Sequence, residues 1–72
     1  MEYVLKTKNV KGEEMFFEKL STLGCPIDDK HLVCAKRFTL AKALKMCGRL
    51  NSLIRTLPNF TENWLYKVVA CA

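Results

Sequence analysis

The segment from Thr39 to Pro58 constrains this chain more than any other. Leu40, Ala43, Leu44, Cys47, Leu50, Ile54 and Leu57 recur there at steps of three and four, and Met46 and Leu53 widen the stripe. That spacing lays one apolar face along an α-helix. Thr39 supplies an N-cap oxygen, and Pro58 disfavours helical backbone at the residue before it. The spacing predicts a helix over Leu40–Leu57, roughly 27 Å long, with Leu44, Cys47, Leu50 and Ile54 buried. Gly48 inside it costs about 1 kcal/mol relative to Ala and is read as either a close-packing site or a tolerated residue.

A single amphipathic helix must bury its face on something, and the other segments read as strands. Between Tyr3 and Lys8 the side chains alternate, with Tyr3, Leu5 and Thr7 on one side and Val4, Lys6 and Lys8 on the other. The turn residues Asn9-Val10-Lys11-Gly12 follow, then a second alternating run from Glu14 to Lys19, which makes an antiparallel hairpin. Tyr3, Leu5, Met15 and Phe17 suit the face beneath the helix, so Val4 and Phe16 point away from it. Ser21–Asp29 reads as a loop, because it holds Gly24, Pro26 and the pair Asp28-Asp29. The apolar run Leu32-Val33-Cys34-Ala35 suggests a short third strand over His31–Arg37. Asn59–Asn63 reads as a loop and Trp64–Cys71 as the last strand, rich in aromatic and β-branched residues. The expected fold is a small two-layer α+β domain covering 1–72, of ββ(β)αβ order, with one long helix (about 40–57) on an antiparallel or mixed sheet.

Composition bounds what such a domain does. The chain has 72 residues, half of them hydrophobic and 26% charged; this is the balance of one ordered domain. Its stability is expected to be roughly 3–5 kcal/mol, and its size excludes a large enzyme with a deep cleft. No apolar run approaches the roughly 18 residues of a membrane span, so no membrane partner is expected. Met1-Glu2-Tyr3-Val4-Leu5-Lys6 lacks the apolar block of a signal peptide, so a cytoplasmic location is expected. Cys25, Cys34, Cys47 and Cys71 lie nine, thirteen and twenty-four positions apart. No pair has the C-x2-C spacing of a zinc site, and the four read as free, semi-buried thiols.

Catalytic groupings are sparse. His31 stands alone beside Asp28, Asp29 and Lys30, and on a strand Cys34, three residues on, would point to the opposite face. There is no glycine-rich phosphate loop and no Ser-His-Asp set. No catalytic, cofactor-binding or metal-ligating residue is assigned, no cofactor is expected, and a non-enzyme is the reading.

The surface is more informative. Twelve Lys and Arg against seven Asp and Glu leave a formal net charge of +5, which suits anionic partners and excludes an acidic mimic of DNA. Lys42, Lys45 and Arg49 share one side of the helix, continued by Ser52 and Thr56, and Lys36 and Arg37 lead into it. The back of the helix, opposite Leu44 and Leu50, is where this stripe is expected. No aromatic interleaves with it, which speaks against base stacking on a single strand. The sheet face away from the helix, with Phe16 and Trp64, is expected to be apolar and open, and wide apolar patches are rarely left bare. A second copy pairing through that face is one expectation.

The Tyr3-Val4-Leu5-Lys6 opening strand, the charged turn with Gly12, the aromatic second strand, the Ala/Leu helix with Leu50-Asn51 near its end and the closing Trp64-containing strand together resemble small bacteriophage and mobile-element proteins of strand-strand-helix-strand pattern. The resemblance covers most of the chain and carries no site motif. It implies a small protein that binds and inhibits a host protein or nucleoprotein complex, such as a bacterial defence effector, in the manner of an anti-CRISPR protein. The expected contact residues are Arg37, Lys42, Lys45 and Arg49 on the basic stripe, with Phe16 and Trp64 on the sheet. The alternative is a small basic nucleic-acid-binding module in which the same cations meet phosphates.

Overall fold

Two tight turns organise the sheet. In the first, the Asn9 side-chain oxygen accepts hydrogen bonds from the Lys11 and Glu13 amides at 2.9 and 3.0 Å, and Gly12 takes φ 82°, where a Cβ would be strained. Twelve residues on the device recurs. Ser21 Oγ accepts from the Leu23 and Cys25 amides at 3.3 and 3.1 Å, and Gly24 sits at φ 83°. The side-chain oxygen at the start of each turn takes up amides that the strands cannot pair.

The structure, a computed structural model, describes residues 1–71; only Ala72, included in the single-domain reading, lies outside them. The first turn joins β1 (Glu2–Lys8) to β2 (Glu14–Leu20), and the second joins β2 to β3 (Pro26–Asp29). A 3₁₀ turn at Leu32–Cys34 leads to the helix α1 (Leu40–Ile54), and a second 3₁₀ turn at Glu62–Trp64 leads to β4 (Lys67–Cys71). The sheet is antiparallel throughout in the order β3-β2-β1-β4. With α1 packed on one side it forms the expected two-layer α+β domain. Among the described residues no helix is long and apolar enough to cross a membrane.

Four segment boundaries differ from the sequence reading. The third strand is Pro26–Asp29, inside the stretch read as a loop, whereas His31–Arg37 is a 3₁₀ turn and an extended connector. The Ser21–Cys25 turn decides this, because it hands the chain back along β2 despite a proline and two aspartates. The connector is not idle. The β1–β2 ladder ends at Lys6–Phe16, and beyond it the connector takes over: Lys36 N donates to Phe17 O at 3.0 Å and Phe38 pairs with Tyr3. The helix stops at Ile54 rather than Leu57, since Thr56 and Leu57 make short-range turn bonds to Leu53 and Ile54 ahead of Pro58. The last strand starts at Lys67, and Trp64 belongs to the preceding turn.

The core lies between helix and sheet and comprises Leu5, Phe17, Phe38, Ala43, Leu50, Ile54 and Tyr66. Phe17 stacks on Phe38 and meets Tyr66 edge-on, each at 6.2 Å between ring centroids. Leu50 and Ile54 are buried as expected, Cys47 is half-buried, and Leu44 is 57% exposed. The buried stripe is therefore centred on Ala43, Leu50 and Ile54, and Leu44 falls on its shoulder. Gly48 has open space where a Cβ would stand, so it is a tolerated residue and not a packing site.

Candidate functional site: a cationic groove beside the helix

The connector that inserts next to β1 carries its charges to the start of α1. Phe38 is fixed by its two backbone bonds to Tyr3, each 2.9 Å, and by burial of its ring. Thr39 then caps the helix, its Oγ1 accepting from Lys42 N at 3.4 Å. Lys36 and Arg37, just before the cap, are thereby set beside the first helical turns. Lys42, Lys45 and Arg49 follow on one flank of the helix.

The result is a groove of about 450 Å³ lined by Lys36, Arg37, Phe38, Thr39, Lys42, Lys45, Met46 and Arg49. Five of these eight residues are cationic and none is acidic. Phe38 and Met46 form its apolar floor. The Lys36 ammonium stands 5.8 Å from the centroid of the Phe38 ring, a cation–π contact. Arg37 lines the groove, and its Nη1 donates to Cys71 Sγ at the end of β4. The first turn of α1 has no acidic residue, so the positive end of the helix dipole adds to the side-chain charges.

Of the residues singled out in the sequence, Arg37, Lys42, Lys45 and Arg49 converge here. The stripe is on a flank of the helix adjoining the connector and not on its back, and Ser52 and Thr56 do not line the groove. Lys36, Phe38 and Met46 complete the site. Lys36 carried a sequence signal, its place just ahead of the helix cap; the floor residues carried none, because their position depends on the connector's pairing with β1.

Phe16 and Trp64 are not brought together. Phe16 is on the sheet face away from the helix, as expected, in a second cavity of about 300 Å³ with Val4, Leu32 and Val69 among its lining. That face is partly covered by the chain itself: Leu32 from the 3₁₀ turn joins the lining, and Val4 is only 1% exposed. Trp64 lies on the other side, half-buried against the core beneath the helix. The correction follows from the shorter β4, since a residue in the turn before a strand does not obey the strand's alternation.

A third cavity, of about 250 Å³, mixes Lys6, Lys8 and Lys67 with Glu14 and Glu62. Lys6 and Glu14 pair there at 3.0 Å, so it has no strong sign of charge. The His31 neighbourhood is likewise local. His31 N donates to Asp29 Oδ1 at 2.7 Å and His31 Nδ1 lies 3.0 Å from the same oxygen. These contacts, the backbone one first, hold the Asp29 carboxyl below its usual range. The Cys34 thiol is pushed up by desolvation and by the charges of Asp29 and Glu18, which is the reverse of an activated nucleophile. Among the described residues no group of three or more His, Cys, Asp or Glu is placed to hold a metal ion.

No known family model, curated protein or solved structure matches this chain.

Proposed function

We propose that this protein is a small non-enzymatic binding module whose cationic groove holds the phosphate backbone of a nucleic acid, free or within a nucleoprotein complex. The observation that carries this reading is the convergence of Lys36, Arg37, Lys42, Lys45 and Arg49 on one groove without a carboxylate among them. Like charges gathered at this density repel one another unless an anion occupies the space between them. A polyphosphate supplies repeated anions at regular spacing, and neutralising them releases counterions. Phe38 is buried in the floor, so it offers no free ring for a base to stack on, and contact with backbone is favoured over contact with bases.

A second reading, inhibition of a host protein of the kind the mobile-element resemblance implies, draws on a different feature. Leu53, 54% exposed, continues the flank of Met46 and Arg49 beyond the groove. Cations with an exposed leucine at their end would suit an acidic protein surface with an apolar rim.

The triple reversal Lys42→Glu, Lys45→Glu and Arg49→Glu tests the reading. All three side chains are exposed, so the variant should fold and melt close to the native chain, within about 1 kcal/mol. Its binding to a short DNA or RNA duplex should fall by at least about a hundredfold at low salt. Duplex binding equal to that of the native chain would remove the groove as the site. Retention of one host protein by the native chain, with duplex binding by neither form, would favour the second reading.

A further inference from the structure

The two edges of the sheet are built differently. The β3 edge holds Pro26, which has no amide hydrogen, and the carboxylates of Asp28 and Asp29, and β2 carries a register shift beside it. These are devices that discourage another strand from adding. The β4 edge, Lys67-Val68-Val69-Ala70-Cys71, has no proline, carboxylate or register shift, and its one charge, Lys67, stands at its start. Its hydrogen-bonding direction follows from the register. Tyr3 spends its amide and carbonyl on Phe38, away from β4. The Tyr3–Ala70 and Leu5–Val68 pairs are therefore the non-bonded ones, and Val4–Val69 and Lys6–Lys67 are the bonded ones. It follows that Val68 and Ala70 turn their amides and carbonyls outward.

Tyr66 faces outward in the same sense, but the helix occupies it. Asn51 Nδ2 donates to Tyr66 O at 3.1 Å, and Asn51 Oδ1 accepts from Tyr66 N at 2.7 Å. The flank of α1 that carries Asn51 thus overhangs the free edge. Leu44 and Leu40 stand seven and eleven residues before Asn51, near two and three full turns, so they share that flank. The helix starts next to Phe38, which pairs with Tyr3 opposite Ala70. The helix therefore crosses obliquely from the β4 edge at Tyr66 toward the far side of β1 at Phe38, and of these two leucines Leu44 is nearer the edge. Leu44 is 57% exposed and Leu40 46%.

We propose that two copies of this chain join edge to edge through β4, antiparallel about a two-fold axis at Val69, with Leu44 of both helices flanking the junction. The edge is self-complementary in this register. Val68 of one copy faces Ala70 of the other, and each such pair exchanges two N–H···O=C bonds. Val69 meets its symmetry mate as the close, non-bonded pair. Lys67 falls opposite Cys71 and not opposite its own mate, and it shares that end of the junction with the Arg37 guanidinium held on Cys71 Sγ, a like-charge approach that salt screens. Both helices lie on one side of an eight-stranded sheet, and each cationic groove is on the outer flank of its helix, away from the axis. The junction explains why a leucine from the apolar stripe is left in water by the single copy.

Sedimentation equilibrium at moderate salt, which screens the repulsion between two chains of +5, tests the junction. The native chain should reach twice its 8.3 kDa mass within the micromolar range. Ala70→Pro removes an outward amide and leaves the β1 ladder whole, and Leu44→Lys replaces an exposed apolar contact by a charge. Each should stay folded by circular dichroism and raise the dissociation constant at least about tenfold. A native chain that stays monomeric up to millimolar concentration would overturn the proposal. So would an assembly beyond two copies, or a dimer that both folded variants leave unchanged.

Discussion

Tyr66 shows how much a single side chain carries in a domain this small. Its backbone is held by Asn51 of the helix, its ring packs edge-on against Phe17, and its hydroxyl donates to Asp28 Oδ1 at 2.6 Å. Burial pushes the Asp28 carboxyl above its ordinary value of 3.8, and the hydrogen bond from Tyr66 offsets part of that. Burial and the neighbouring carboxylate push the Tyr66 phenol far up, so it remains a donor. A carboxyl whose folded-state pKa is raised costs stability when ionised at neutral pH. It returns that stability as pH falls through the raised value, and the gain is complete below 3.8. Asp28→Asn keeps an oxygen for the Tyr66 hydroxyl and loses the charge. Its melting temperature should match or exceed that of the native chain at pH 7, and the difference should shrink toward pH 4. None of these partners was legible in the sequence, because Asp28 and Tyr66 are 38 residues apart and Asp28 looked like a turn residue.

At the level of elements, local pattern and turn geometry divide the work. The β1–β2 hairpin and α1 were legible because alternation and three-to-four spacing are signals within a few residues of chain. The β3 strand was not, because Pro26, Asp28 and Asp29 are poor strand formers and the pairing comes from the turn that Ser21 and Gly24 build. Helix patterning marked the right face but not its centre, since Leu44 and Leu40 sit at the stripe's edge where only the neighbouring strand decides burial. Leu50→Ala should therefore cost roughly 2–5 kcal/mol and unfold much of the population at 37 °C. Leu44→Ala, at a side chain 57% exposed, should cost under about 1 kcal/mol at concentrations where the chain is a single copy. Thermal melts of the two variants check this, and equal losses would contradict the placement of the stripe.

Across the whole molecule the excess charge is distributed unevenly. Lys6, Lys8 and Lys67 share a cavity with Glu14 and Glu62, whereas the helix flank and its connector gather cations alone. The basic stripe was legible as Lys42, Lys45 and Arg49, because helical spacing fixes their common side. Its enlargement by Lys36 and Arg37 depends on a connector lodged beside β1, a long-range pairing that no local pattern announces. The salt dependence of binding to a DNA duplex tests the central claim most directly. With three to five of the groove cations on phosphates, log K against log salt concentration should fall with a slope between about −2.7 and −4.5, whatever the duplex sequence. A slope near zero, or no duplex binding at low salt, would contradict it.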